Sequence, residues 1–169
     1  MDDLFTELLI KKQKTGKDTF LKTLAIGFTV LLFLAGILIT PLFLLLGLGM
    51  AAVDYFLLPR LNVEYEYSYV SGELDIDKIF NKEKRKKGGE YSVKNFEIMA
   101  PLNSDRLSDY KKNSQIKTID YTSGDPDDGS PVYAFVTSDN GQRQMILFQP
   151  DDRILKDMRM RAPSKVFLN

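Results

Sequence analysis

A run of residues without formal charge, Thr23 to Val53, limits the folds open to this chain more than any other feature. The apolar character continues to Leu58, with Pro41 near its middle. One helix over this block would be about 54 Å long, whereas the hydrocarbon core of a membrane is about 30 Å thick. Tilt does not absorb the difference, because tilts beyond about 40° are unusual. Two spans of about 17 residues, joined near residues 39–41, fit the core instead.

The block divides the chain into three parts. Residues 1–18 are an N-terminal tail, residues 19–58 are two transmembrane helices, and residues 59–169 are long enough to form a domain with its own core. One long tilted span or a re-entrant segment is the alternative for the block. A cleavable signal sequence is disfavoured, because its apolar region is only about 7 to 15 residues long.

Basic residues flank both ends of the block. Cytoplasmic segments of membrane proteins carry an excess of lysine and arginine. We therefore expect a cell-membrane protein with two spans and both termini in the cytoplasm. The flanking residues are Lys11, Lys12, Lys14, Lys17 and Lys22 before the block, and Arg60 followed by the cluster of residues 82–87 after it.

The tail has an apolar spacing typical of a short helix. Leu4, Phe5, Leu8 and Leu9 fall on one helical side, after the acidic pair at residues 2–3. One interpretation is an interfacial helix whose lysines contact anionic headgroups, namely Lys11, Lys12, Lys14 and Lys17. The other is a disordered tail whose lysines only set the topology.

The composition disfavours several classes of function. The chain has no Cys and no His, which removes thiolate nucleophiles, the usual imidazole base and the commonest zinc ligands. Lysine plus arginine and aspartate plus glutamate are equal at 23 each, so no overall charge favours nucleic acid. We expect no catalytic residue, no cofactor and no nucleic-acid partner.

Beyond Pro59 the pattern changes to the alternation of a β-strand. Val63, Tyr65, Tyr67 and Tyr69 share one face, and a turn follows at residues 71–72. About six strands are predicted, with a basic loop at residues 81–89 and a hairpin turn at Asn140-Gly141. A helical turn capped by Ser104 and a terminal helix over residues 151–161 complete the pattern.

Two meandering groups of strands followed by one amphipathic helix resemble a pleckstrin-homology-like domain, in which the helix covers one end of a small bent barrel. The chain also carries Asp54-Tyr55, Pro59-Arg60, residues 63–67, residues 72–79, Arg159-Met160 and Ala162-Pro163. These residues give nearly the whole chain a resemblance to a family of small Gram-positive bacterial membrane proteins that combine two transmembrane helices with such a domain of unknown function. The resemblance implies an α+β fold, with a helical hairpin before a small antiparallel β-barrel or bent sheet and one C-terminal helix. It implies no catalytic residue.

The densest basic patch is the candidate ligand site of the domain. Some pleckstrin-homology-like domains bind phosphoinositide headgroups through basic residues of a corresponding hairpin. Cations close to an anionic leaflet contribute about 1 kcal/mol each, which suits any anionic lipid. The alternative is a solvated loop that only reinforces orientation. The patch contains Lys82, Lys84, Arg85, Lys86 and Lys87.

Two acidic patterns have spacings similar to those of metal sites, but both are disfavoured as metal sites. The turn with Asp125, Asp127 and Asp128 departs from a calcium loop, because Val136 stands where a bidentate Glu is required. The pair of Asp75 and Asp77 has a spacing used by some metal-dependent transferases, but that spacing is common. We expect no metal site.

These observations favour a membrane-anchored, non-catalytic binding or scaffolding protein. Its domain would be held at the bilayer surface, in contact with anionic lipid or a membrane protein partner. The alternatives are an accessory subunit of a membrane enzyme or transporter, and a homodimer in which the face of Tyr65, Tyr67 and Tyr69 is the interface.

Overall fold

A computed structural model describes residues 4–139 and 141–169 and shows an α+β chain with two four-stranded sheets. The strands within these residues are β1 (Phe5–Lys11), β2 (Val63–Val70), β3 (Glu73–Phe80), β4 (Lys84–Ser92), β5 (Ile98–Pro101), β6 (Lys117–Asp120), β7 (Tyr133–Asp139) and β8 (Gln142–Phe148). The α-helices are α1 (Gly16–Leu38), α2 (Leu42–Leu57), α3 (Ser108–Lys112) and α4 (Asp152–Arg161). Short 3-10 turns at Leu58–Leu61, Val93–Asn95 and Asp105–Leu107 complete them.

The apolar block forms a helical hairpin. Thr15 caps α1 by accepting from the Asp18 backbone N–H, while the Asp18 carboxylate accepts from the Thr15 backbone in return. The helices separate at residues 39–41, where the sequence predicts the turn. Gly16–Leu38 and Leu42–Leu61 are each long and apolar enough to cross a membrane.

Two glycines let the helices of the hairpin approach each other closely. A Cβ at Gly36 would lie 2.6 Å from the Leu44 side chain, and one at Gly47 would lie 3.3 Å from the Phe33 ring. Gly27 and Gly49 face open space. The hairpin therefore packs through small residues on one side of each helix, as membrane helices commonly do.

Within the N-terminal tail, Phe5–Lys11 form a strand, so the expectation of an interfacial helix is wrong. β1 pairs antiparallel with β2 from Phe5↔Val70 to Lys11↔Glu64. Leu8 and Ile10 pack against the core. The same residues fit an alternating pattern as well as a helical one, and pairing with β2 decides between them. Residues 2–3, the predicted start of that helix, lie outside the described residues.

The basic stretch after β3 is also a strand, so the predicted loop over residues 81–89 is wrong. The first sheet runs β1-β2-β3-β4 with antiparallel neighbours throughout. The register of β4 shifts at Ile76/Asp77, which leaves Gly88 as the extra residue of a β-bulge. A Cβ on Gly88 would lie 2.6 Å from the Ile76 carbonyl oxygen, so the bulge requires glycine.

The second sheet has the order β5-β7-β8-β6, and the two sheets form no closed barrel within the described residues. β6 runs parallel to β8, which departs from the wholly antiparallel arrangement that the sequence predicts. β7 and β8 pair antiparallel from Tyr133↔Phe148 to Asp139↔Gln142. The predicted turn between them falls on Asn140, which lies outside the described residues, and on Gly141 at φ +81°.

The core lies between the sheets and α4. Tyr65, Tyr67 and Tyr69 are at most 5% exposed and pack against residues of the second sheet such as Phe135 and Phe148. The expectation that this tyrosine face serves as a dimer interface is therefore wrong. The Tyr67 hydroxyl donates to the Tyr121 carbonyl oxygen at 2.7 Å, which satisfies its polar group inside the core.

α4 covers the core through Ile154, Leu155 and Met158, as its amphipathic pattern predicts. Asp151 caps the helix by accepting from the Ile154 backbone N–H at 2.8 Å. On the same side, the Tyr69 hydroxyl donates to the Asp157 carboxylate at 2.6 Å, and the Arg161 guanidinium donates to the same carboxylate oxygen at 2.6 Å. This network ties the helix to β2.

Candidate functional site: a lysine cleft where the helices meet the domain

The tight turn between β3 and β4 presents Asn81 and Lys82 at the end of the domain nearest the helices. Both residues have positive φ, at +51° and +61°, and the Glu83 backbone N–H donates to the Phe80 carbonyl oxygen at 3.1 Å. Two successive residues with positive φ are the signature of the type I′ hairpin turn. The Asn81 backbone N–H donates to the Asn62 carbonyl oxygen at 2.9 Å, which fixes the turn against the start of β2.

A second chain segment, residues 11–14, approaches the same place from the end of β1. The Lys12 backbone N–H donates to the Val63 carbonyl oxygen at 3.1 Å, and the Gln13 N–H donates to the Ser123 carbonyl oxygen at 2.7 Å. The segment is thus held by β2 on one side and by the chain after β6 on the other. It carries three lysines immediately before α1 begins.

These two segments enclose a cavity of about 150 Å³, which we call the lysine cleft. Its lining residues are Lys11, Lys12, Lys14, Asn62, Val63, Glu64, Asn81 and Lys82. The four lysine side chains are exposed, and none of them forms an ion pair within the part of the chain that the structure describes. Four unpaired ammonium groups around one small cavity favour an anionic ligand.

The positive potential extends to a neighbouring lysine on β3. Burial lowers the pKa of the Lys78 ammonium, and the charges of Lys86, Lys12 and Lys117 lower it further. Lys78 lies 5.3 Å from the centre of the Tyr121 ring. The lowered pKa is the expected effect of burial, and the like charges at this end of the sheet add to it.

A second cavity, of about 350 Å³, adjoins the cleft on the side of the helices and shares Asn62 and Asn81 with it. Its other lining residues are Lys22, Ala51, Asp54, Tyr55, Leu58 and Pro59. It therefore begins within the hairpin and ends at the two asparagines. This arrangement connects the lysine cleft to the surface of the apolar helices.

A third cavity, of about 580 Å³, lies on the opposite side of the lysine segment, against the acidic turn after β6. Hydrogen bonds from Ser123 and Ser130 lower the pKa of the Asp128 carboxyl, and the Gln149 amide donates to it as well. Asp125 accepts from the Asp127 backbone N–H at 3.0 Å. These carboxylates stabilise the turn, and no group of three or more potential metal ligands converges among residues 4–139 and 141–169.

The nine basic residues that the sequence predicts as lipid contacts lie in three different places in the structure. Lys11, Lys12, Lys14 and Lys82 line the cleft, whereas Lys17 lies on the first turn of α1 and does not. The remaining four, Lys84, Arg85, Lys86 and Lys87, follow one another along β4. One contiguous basic run in the sequence thus contributes a single lysine to the cleft.

Two residues of β4 are engaged by acidic neighbours. Arg85 lies 2.5 Å from a Glu66 carboxylate oxygen and 3.5 Å from one of Asp77. Lys87 pairs with Glu90, and this contact raises the pKa of the Lys87 ammonium. Arg85 thus supplies the positive charge that pairs with Asp77 and Glu66 on this face of the sheet.

Asn62 and Asn81 are the cleft residues that sequence reasoning missed. They are 19 positions apart, and only the pairing of β2 with β3 brings them together. The signal that could have found them is position, since each asparagine adjoins the end of a predicted strand that lies nearest the apolar helices.

Comparison with known proteins gives a family for the chain and no relative with an assigned structure or activity. A family model described as bacterial PH-like domain (DUF6106) matches residues 2–168, which include the apolar hairpin as well as both sheets. No curated protein and no solved structure matches the chain.

Proposed function

Because the chain belongs to the bacterial PH-like domain family, we propose that it is a non-catalytic binding module anchored in the cell membrane. The two apolar helices span the bilayer, both ends of the chain lie in the cytoplasm, and the domain sits at the inner surface. The lysine cleft binds the phosphate of an anionic lipid.

One observation carries this proposal. The four lysines that line the cleft come from two segments that are far apart in the sequence, and both segments lie where the hairpin joins the domain. Lys14 lies one residue before the cap of α1, and Lys82 adjoins the turn that packs beside Asn62. A domain held by two membrane helices presents this end to the headgroups, where each cation contributes about 1 kcal/mol.

The mixture of groups in the cleft also suits binding better than chemistry. Lysine ammonium groups neutralise phosphate charge, and the two asparagine amides offer neutral donors and acceptors. Tyr65, on the strand that borders the cleft, is buried, and burial raises its pKa to about 12, which keeps its hydroxyl protonated. We therefore assign the cleft a binding role.

The test uses the full-length protein in detergent micelles, with bound lipids counted by native mass spectrometry. Anionic phospholipid should bind more tightly than phosphatidylcholine, and the preference should weaken as salt rises. Replacement of Lys11, Lys12, Lys14 and Lys82 by Gln should lower anionic-lipid affinity at least about tenfold, which is 1.4 kcal/mol.

A matched variant carries the same loss of charge elsewhere. Lys94, Lys111, Lys112 and Lys156 lie outside the lysine cleft, and their replacement by Gln should leave the preference for anionic lipid nearly intact. If both quadruple variants lose affinity equally, net charge and not the cleft attracts the lipid. If the wild-type protein shows no preference over phosphatidylcholine, the proposed function is wrong.

A further inference from the structure

We infer that the lysine cleft selects an anionic phospholipid whose headgroup carries hydroxyl groups beside its phosphate, the chemistry of phosphatidylglycerol. This inference rests on the proposed function and adds the class of headgroup. The lysines bind the phosphate, while Asn62, Asn81 and Glu64 bind the hydroxyl groups.

The asparagine pair is held in place by the backbone and keeps polar atoms free for a ligand. The Asn62 side-chain amide donates weakly to the Asn81 side-chain oxygen at 3.5 Å. Within the described part of the chain, the remaining amide nitrogen of Asn81 and the amide oxygen of Asn62 have no further hydrogen-bond partner. The pair thus offers the cleft one donor and one acceptor, and a hydroxyl group can use both because it accepts and donates.

Glu64 adds a carboxylate to the lining of the cleft, so the cleft does not simply attract negative charge. It lies opposite Lys11 in the β1–β2 register and lines the cleft without an ion pair among the described residues. A site for bare phosphate gains nothing from a carboxylate, since like charges repel. A hydroxyl group, in contrast, donates readily to a carboxylate oxygen.

The charge balance of the cleft disfavours headgroups that carry an amine. Four lysines and one glutamate leave a local excess of positive charge. An ammonium group, as in phosphatidylethanolamine or phosphatidylserine, would be repelled by the four lysines, and the single Glu64 carboxylate offsets that repulsion only in part. A neutral glycerol headgroup meets no such repulsion, while its phosphate keeps the attraction.

The size of the cleft limits what it holds. A volume of about 150 Å³ is well below the roughly 300–1,000 Å³ of pockets that enclose a drug-sized ligand. The cleft therefore accommodates a headgroup and excludes acyl chains. The adjoining cavity against the helices offers these chains a route along the apolar surface of Leu58 and Tyr55.

The experiment compares phosphatidylglycerol with phosphatidylserine, which has the same net charge, on full-length protein by native mass spectrometry. Phosphatidylglycerol should bind about fivefold more tightly, the effect of about one net hydrogen bond. Asn81→Gly should remove this ratio and leave phosphatidylserine binding nearly unchanged, because glycine adopts the positive φ of this turn without strain. Lys82→Gly should weaken both lipids alike.

The possible failures are separable. Equal binding of the two lipids by the wild-type protein, both above phosphatidylcholine, would overturn the selectivity and leave the proposed function standing. Binding of neither above phosphatidylcholine would overturn the proposed function itself. Glycerol phosphate without acyl chains is the last arm, and its displacement of phosphatidylglycerol at comparable concentration would reassign the cleft to a soluble ligand.

Discussion

The Thr29 hydroxyl donates a hydrogen bond of 2.6 Å to the Asp54 carboxylate, and both side chains are at least nine-tenths buried between α1 and α2. In the sequence Asp54 lies at the edge of the charge-free block, and its partner lies well inside that block. Asp54 is twelve residues beyond the start of α2, which is about 18 Å along the helix axis. The pair therefore fixes the register of the hairpin far from its turn.

Loss of this hydrogen bond should lower the free energy of unfolding of the helical hairpin. Polar contacts between membrane helices contribute about 0.6 kcal/mol on average and up to about 1.7 kcal/mol. Thr29→Val keeps the shape and removes the donor, so we expect a loss of about 1 kcal/mol in an SDS unfolding titration followed by circular dichroism. Thr23→Val on the exposed side of α1 is the control, and an equal loss in both variants would exclude a role for the pair.

Lys82 occupies a backbone conformation that costs stability, and we attribute the presence of a lysine there to ligand binding in the cleft. Its φ of +61° falls where a residue other than glycine loses about 1–2 kcal/mol. Glycine would remove that loss but would gain freedom in the unfolded chain worth about 0.5–1 kcal/mol. Lys82→Gly should therefore stabilise the domain by about 0.5–1 kcal/mol while weakening anionic-lipid binding.

Chemical denaturation and lipid binding of the same Lys82→Gly preparation measure these opposite effects. Ser71→Gly is the matched control, because Ser71 also has a positive φ, +48°, in the turn at the far end of the β2–β3 hairpin. This control should leave lipid binding unchanged. A Lys82→Gly protein that is less stable than wild type would remove the argument that the lysine is kept for its ligand.

The hairpin and α4 follow from local sequence, whereas β1 and the cleft do not. A charge-free run of this length, interrupted by Pro41, favours two spans over one tilted or re-entrant segment, and the amphipathic pattern after Asp151 predicts a helix. β1 is only seven residues long, and its partner strand begins at Val63 on the other side of the hairpin. Short apolar segments fit helical and alternating periods equally well, so pairing over this distance was required to decide.

The residues of the cleft could likewise be predicted only in part from the sequence. The sequence shows Lys82 inside a basic run, and charge density alone ranks the whole run above the separate lysines of the tail. In the fold, Arg85 pairs with Glu66 and Lys87 pairs with Glu90. The run belongs to β4, which continues past the bulge at Gly88. Which cations remain available depends on cross-strand neighbours that local patterns do not reveal.

A protein that begins at Pro59 should fail to fold stably, because it lacks β1. Leu4, Leu8 and Ile10 pack against the core, and burial of such side chains contributes up to about 1.5–3 kcal/mol each. Their loss is large beside a typical total stability of about 5–15 kcal/mol, and it also exposes the edge of β2. We expect aggregation or a non-cooperative thermal transition by circular dichroism.

Restoring β1 without α1 and α2 should rescue this protein. Lys12 already bonds to Val63 across the β1–β2 pair, so a short Gly-containing turn can join residues 4–12 to residues 63–169 as an ordinary hairpin. The fused protein should be monomeric and unfold cooperatively. If the protein that begins at Pro59 is equally stable, β1 contributes little to the fold.

Asp75 should weaken the domain at neutral pH. Burial raises the pKa of its carboxyl, and the nearby charge of Glu90 raises it further. Because the folded-state pKa lies above the unfolded value, the ionised carboxylate costs stability above that pKa, and the cost disappears below the unfolded value near 3.8. Asp75→Asn should therefore be more stable than wild type near pH 7 and equal to it at about pH 3. Asp109→Asn removes the same charge from an exposed position elsewhere and should show no such gain, so a gain in both variants would trace the effect to net charge alone.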